Sequence, residues 1–187
     1  NSYLREAKTR YIRPIVTDRY DLPGDMFDRH TYPKGALVLH MLRKRLGDEV
    51  FFRGLRAYYN AHAQANATTE DLRDALQKAS GQNLHEFFTR WVYGSGHPIY
   101  KLTSGSAEFS GAGQFLTLTL DQTQSGAPFL DPVPIEITTA AGARKRYTIV
   151  PTNKTATLRV HLDTRAAAKA IRADPDDTLL KEIVTNP

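Results

Sequence analysis

The sequence predicts an α+β protein of two domains, an α-helical array over residues 1–97 followed by a small antiparallel β-sandwich over residues 98–187. Three observations carry this reading. Apolar residues recur at helical spacing as far as residue 93, and after a break near residues 94–98 they alternate at strand spacing. With 187 residues, 41% apolar and 24% charged, the chain can build one ordinary domain or two small ones around packed cores.

The first helix is expected over residues 2–11, ending before Arg13-Pro14; Pro14, Pro23 and Gly24 then break the chain. A second helix is expected over residues 33–46, with Leu37, Val38, Met41, Leu42 and Leu46 on one side. Pro33 suits its first position and Gly47 its end. A third, over residues 48–63, shows Phe51, Phe52, Leu55, Tyr58 and Tyr59 as its stripe. Thr68 and Asp71 form a capping-box pattern that opens a fourth, closed by Gly81. A fifth, over residues 84–93, carries Leu84, Phe87, Phe88, Trp91 and Val92. Short links favour an antiparallel helical array.

Beyond Pro98, Leu116, Leu118 and Leu120 alternate with threonines, and Val133, Ile135 and Ile137 with Pro134 and Glu136. Thr139-Ala140-Ala141-Gly142 reads as a hairpin turn into residues 145–150. Residues 158–162 and 170–173 supply further strands, and a short helix is expected at residues 178–184. Six or seven such strands make a small sandwich.

Several function classes are excluded. The net charge of +5 is spread over helices that also carry acids, unlike the one-sided basic stripe of a nucleic-acid protein. No apolar run approaches the ~20 residues of a membrane span, and no signal peptide opens the chain. A soluble domain, cytoplasmic or extracytoplasmic, is expected. Cysteine is absent, which removes disulfides and thiolate metal sites. The six histidines, His30, His40, His62, His85, His97 and His161, include no pair three or four residues apart, so no helical turn presents a His pair to a metal. H-E-x-x-H, P-loop and G-x-S-x-G motifs are missing. The chain starts at Asn1, within helical-looking sequence, so a natural start is expected upstream.

The stretch from Asp25 to Gly35 is the most informative. Tyr32, held extended by Pro33, would stand at the mouth of the second helix, where the helix dipole favours developing negative charge. On spacing alone the favoured reading is a hydrophobic staple against the first turn, its hydroxyl touching solvent.

Tyr32-Pro33-Lys34-Gly35, followed by the apolar run through Leu42, resembles the Y-x-K-G segment of aminopeptidase N-type zinc metallopeptidases, the gluzincin aminopeptidases. The similarity continues in order through Arg13-Pro14, Leu46-Gly47-Asp48, Thr69-Glu70-Asp71-Leu72, Ser80-Gly81, Phe87 with Trp91, Ser95-Gly96-His97-Pro98, Pro132 to Ile137 and Asp174-Pro175. The resemblance implies the C-terminal part of a thermolysin-like catalytic domain followed by a β-sandwich. It implies an enzyme that removes N-terminal residues from peptides with one zinc, held by an H-E-x-x-H helix and a later glutamate, none of them in this chain. Tyr32 then takes the family's catalytic tyrosine role, donating its hydroxyl to the oxyanion of the tetrahedral intermediate. Peptides are the expected partners of the full protein, and this chain alone is expected to bind no metal and to be inactive. A scaffold that has lost the zinc motif and a protein- or glycan-binding module are the alternatives.

Other residues carry plainer expectations. Lys34 is read as a solvated helix-surface lysine. Arg13 either braces the loop carrying Tyr32 or faces water. His30 is read as structural or surface rather than a ligand, and Trp91, Phe87 and Phe88 as core.

Overall fold

Five helices and then eight short strands follow one another along residues 2–184, which the computed structural model describes. They divide into two units, Asn1–Gly96 and His97–Pro187. The first holds α1 (Ser2–Thr9), a 3-10 turn (Pro23–Met26), a π-turn (His30–Lys34), α2 (Gly35–Leu46), α3 (Asp48–His62), α4 (Thr69–Ser80) and α5 (His85–Trp91). The second holds β1 (Ile99–Ser104), β2 (Glu108–Ser110), β3 (Gly113–Gln122), β4 (Val133–Thr139), β5 (Arg144–Ile149), β6 (Thr155–Leu162), β7 (Ala168–Ala173) and β8 (Glu182–Val184).

Local chemistry sets the helix ends. Asp71 N–H donates to Thr68 Oγ1 at 3.2 Å and Thr68 N–H to Asp71 Oδ2 at 2.8 Å, a complete capping box at the head of α4. Gly81 closes α4 in the left-handed conformation, φ 68° and ψ 6°. The core of this unit takes Val38, Met41, Leu42 and Leu46 from α2, Phe51 from α3, Leu76 from α4, and Leu84, Phe87, Phe88, Trp91 and Val92 around α5. The expected stripe of α3 is narrower than its sequence suggests. Phe52 and Tyr59 are exposed, Phe52 lying under the Arg43 guanidinium, and Gly54 takes the contact with α4 instead. A Cβ at Gly54 would stand 2.8 Å from Leu76 Cδ2 and 3.3 Å from Leu76 Cα.

In the second unit, β3 is central to one sheet. It pairs antiparallel with β6 along one edge and with β1 and β2 along the other. The other sheet runs β5-β4-β7. Tyr100, Leu116, Leu118, Leu120, Val160 and Leu162 from the first face Val133, Ile135, Ile137 and Ile149 from the second in one core. The alternation that predicted these strands is thus the alternation between the shared core and the outer face of each sheet, though Glu136, on the outer face of β4, is itself buried.

Two expectations change here. The sandwich is not wholly antiparallel, because β8 pairs with β1 in parallel, Ile99 opposite Glu182 and Lys101 opposite Val184. The helix expected at residues 178–184 does not form. Asp174, at φ 48°, gathers the Thr178 hydroxyl at 2.6 Å, the amides of Thr178 and Leu179 at 2.9 and 2.8 Å, and Lys181 Nζ at 2.7 Å. That knot buries Leu180 and delivers the following residues to the sheet edge. Burial pushes the Asp174 carboxyl up, but the bonds from Lys181, Thr178 and Leu179 outweigh it and hold it below the usual range.

Asp174→Ala leaves the Lys181 ammonium, 8% exposed, with only the more exposed Asp177 carboxylate of its two partners and leaves two amides without an acceptor. Stability should fall by about 3 kcal/mol, read as a lower urea midpoint; an unchanged midpoint would show that the knot adds nothing net.

Candidate functional site: a π-turn carrying Tyr32

The π-turn His30–Lys34 runs directly into α2. Lys34 N–H reaches back five residues to Arg29 O at 3.0 Å, and Tyr32 N–H four residues to Asp28 O at 3.3 Å. Pro33 has no N–H to give, and the wide turn accommodates that gap. The expectation of an extended Tyr32 before a helix starting at Pro33 is therefore corrected. The helical path begins at His30, and the steric bias that proline places on its predecessor is overridden by two carboxylates.

Those carboxylates are Asp28 and Glu6. Asp28 Oδ1 accepts the amides of His30 and Thr31 at 3.0 and 2.9 Å and Arg13 Nη2 at 2.6 Å. Its Oδ2 accepts Arg13 Nε at 2.8 Å and the Tyr11 hydroxyl at 2.9 Å. Glu6, on α1, accepts the Arg29 amide at 2.9 Å and His30 Nδ1–H at 3.2 Å. The amides that a helix start leaves open are thus already taken by anions, so the positive helix end is compensated before it reaches Tyr32. Arg13 also donates to Thr31 Oγ1, Pro14 O and Ile15 O, which resolves its two sequence readings in favour of a brace.

Burial raises the Asp28 carboxyl, yet hydrogen bonds from Thr31, Arg13 and Tyr11 win and hold it below the usual carboxylate range. The Tyr11 phenol is pushed up by burial and by its bond to Asp28. His30 is fully buried, stacked on Tyr11 with centroids 5.1 Å apart and edge-on to Tyr3 at the same distance. Since a carboxylate only accepts, Nδ1 carries the proton, and Nε2 is a buried acceptor without a partner among the described residues. Burial pushes this imidazole down against the pull of Asp28 and Glu6, so it stays neutral at pH 7.

Glu6, Asp28 and His30 bring three ligand-type atoms within 4.8 Å of one another. The set does not fit a zinc ion. The Arg13 guanidinium already holds both Asp28 oxygens, and backbone amides, Tyr11, Arg10 and His30 occupy further acceptor positions of the two carboxylates. A dication there would have to displace a bidentate arginine.

Lys34 departs furthest from its sequence reading. It is fully buried, not solvated; its Nζ donates to Gly94 O at 3.1 Å and lies 5.8 Å from the Tyr3 ring centre. No carboxylate partners it among the described residues, and burial, with Arg13 nearby, pushes its pKa down to about 8. Tyr32, two residues earlier, points the other way. It is 56% exposed, its ring beside that of Phe27 at 5.9 Å, and its hydroxyl has no hydrogen-bond partner among the described residues. Phe27 is itself 75% exposed, so the pair makes no staple against the helix. An open cleft of about 800 Å³ borders Phe27, with Arg10, Tyr11, Arg13, Tyr20 and Asp28 in its walls. Phe87, Phe88 and Trp91 are core, as read from their spacing.

Sequence reasoning missed Glu6, Asp28 and the burial of Lys34. Asp28 had a local signal, since an aspartate three residues before Thr31 has the spacing of an N-cap. Glu6 and Lys34 had none that marked them as buried, because His30 and Gly94, which they meet in the interior, lie 24 and 60 residues away.

Lys34 gives a stability signature. Below pH 8 both folded and unfolded chains carry its proton, and between about 8 and 10.5 only the unfolded chain does. Stability should therefore climb by up to about 3 kcal/mol across that window relative to Lys34→Met, at 1.36 kcal/mol per pKa unit. Parallel curves for the two proteins in urea titrations from pH 7 to 10.5 would refute it.

Residues 2–91 match the peptidase family M1 domain. Aminopeptidase N of Lactococcus lactis subsp. lactis is 43% identical over 68 residues, covering 36% of this chain and 8% of that protein. Aminopeptidase M1-B of Oryza sativa subsp. japonica is 35% identical over 149 residues, covering 78% of this chain and 16% of that protein. The crystal structure of Legionella pneumophila aminopeptidase A in complex with aspartic acid shares the fold, with a TM-score of 0.73 over 94% of this chain and 20% of that one, at 14% identity. The chain thus spans about a fifth or less of the length of these proteins. A family domain matched over residues 2–91, with aminopeptidase relatives aligned along most of the chain, supports its reading as a fragment of a peptidase family M1 protein.

Proposed function

We propose that the chain is the C-terminal portion of an M1 catalytic domain, residues 1–97, followed by a β-sandwich domain, residues 98–187, from an enzyme that removes N-terminal residues from peptides. Tyr32 is its contribution to catalysis, donating its phenolic hydroxyl to the oxyanion of the tetrahedral intermediate. The observation that carries this reading is the contrast within one turn: an exposed, unengaged phenol on a backbone held by Asp28, Glu6 and Arg13. Such preorganisation is what an oxyanion donor needs, because no reorganisation is then required as charge develops.

A second feature supports a larger domain. Tyr11, Ile12, Val16, Tyr20, Leu22, Phe27 and Tyr32 are all exposed within residues 11–32, an apolar concentration typical of a covered face. Zinc belongs to the complete protein, through ligands outside this chain; the Glu6, Asp28 and His30 cluster is not its site. No described helix is long and apolar enough to cross a membrane.

In the complete protein Tyr32→Phe should lower kcat by about a hundredfold, the scale of losing one oxyanion donor, with KM little changed. Unaltered kcat would remove Tyr32 from the mechanism. The 187-residue chain alone, supplied with zinc and an aminoacyl reporter, should show no turnover; activity that persists after removal of contaminating peptidases would contradict the reading.

A further inference from the structure

Tyr32 and Lys34 leave the same π-turn in opposite directions, one 56% exposed and the other fully buried. At roughly 80–100° per residue, two positions of separation put side chains on nearly opposite faces, so what holds one face sets the aim of the other. Inside the turn, proline breaks the run of backbone donors. Pro33 lacks an N–H, and Lys34 N–H makes the long reach to Arg29 O. Asp28 and Glu6 fix its first residues, through the amides of Arg29, His30 and Thr31, but neither touches the Pro33–Lys34 end.

At that end stands the buried ammonium. It donates to Gly94 O, just beyond α5, and lies against the Tyr3 ring of α1, so one side chain ties the turn to two other elements. The acceptor is itself fixed. A Cβ at Gly94 would stand 2.2 Å from Arg90 O, so only glycine lets the chain pass there and present this carbonyl. A buried charge with one neutral acceptor is an expensive way to fill space, since a methionine would fill it without the desolvation.

We propose that Lys34 is the positioning residue of Tyr32: its buried ammonium, bonded to the Gly94 carbonyl, locks the C-terminal end of the π-turn and thereby aims the phenol. This rests on the oxyanion role proposed for Tyr32. Lys34 touches no reacting atom in this scheme; it acts through the tyrosine.

The test is a double-mutant cycle in the complete protein with Tyr32→Phe, Lys34→Met and both together. Lys34→Met keeps the unbranched stem, one atom shorter, and removes the charge, and thermal unfolding checks that it folds. It should lower kcat about tenfold, the scale of a displaced catalytic group, with KM within about twofold. In the Tyr32→Phe background it should lower kcat no further, because there is no hydroxyl left to aim. A residue needed only for folding would lower kcat by the same factor in both backgrounds, which would overturn the proposal, as would an unchanged kcat in Lys34→Met beside a slow Tyr32→Phe. If Tyr32→Phe alone is fully active, the oxyanion reading falls and hydrogen exchange decides the anchor. Lys34→Met should speed exchange of the peptide spanning residues 29–35, and unchanged exchange would refute the lock.

Discussion

Arg13 and Asp28 meet through two charge-assisted hydrogen bonds, at 2.6 and 2.8 Å, in a place where both side chains are mostly shielded from water. The remaining acceptor capacity of Asp28 goes to the backbone of the π-turn, and the remaining donors of Arg13 go to Thr31 and to the loop through Pro14 and Ile15. The pair therefore joins two irregular segments that have no regular secondary structure to hold them. Breaking it would cost more than a surface ion pair, because each partner would be left facing groups chosen for the other. The aim of Tyr32, the neutrality of His30 and the burial of Lys34 all assume this backbone path.

The two units treat buried lysines differently. Lys181 shares its pocket with Asp174, and that bond, followed by those to Asp177, raises its pKa against burial. Lys34 has a carbonyl and an aromatic ring in place of a carboxylate, and burial prevails. The first is a structural knot that settles a chain reversal. The second is a polar group kept where an apolar one would be easier to bury, beside the one exposed tyrosine that family likeness singles out.

Features whose causes are local were legible in the sequence. Thr68 and Asp71 cap α4 because three residues is the reach of a capping box, and Leu116, Leu118 and Leu120 face the core because a strand alternates. Tyr32 could be picked out from a four-residue motif, but not its conformation: a proline rule read in isolation gave an extended residue where Asp28 and Glu6 impose a turn. Lys34 looked like a surface residue because nothing within a helical turn reveals a carbonyl 60 positions on. Phe52 and Tyr59 looked buried because the apolar stripe of α3 is wider than its contact with α4 through Gly54.

The parallel pairing of β8 with β1 has a topological effect. In a sandwich whose last strand ran antiparallel to its first, the chain would come back to the end at which it entered. Here Glu182 starts beside Ile99 and Val184 lies beside Lys101, so the final strand retraces the first in the same sense. Among the described residues the first and last strands of the sandwich therefore point the same way, so the path between them must cross from one end of the sheet to the other an odd number of extra times.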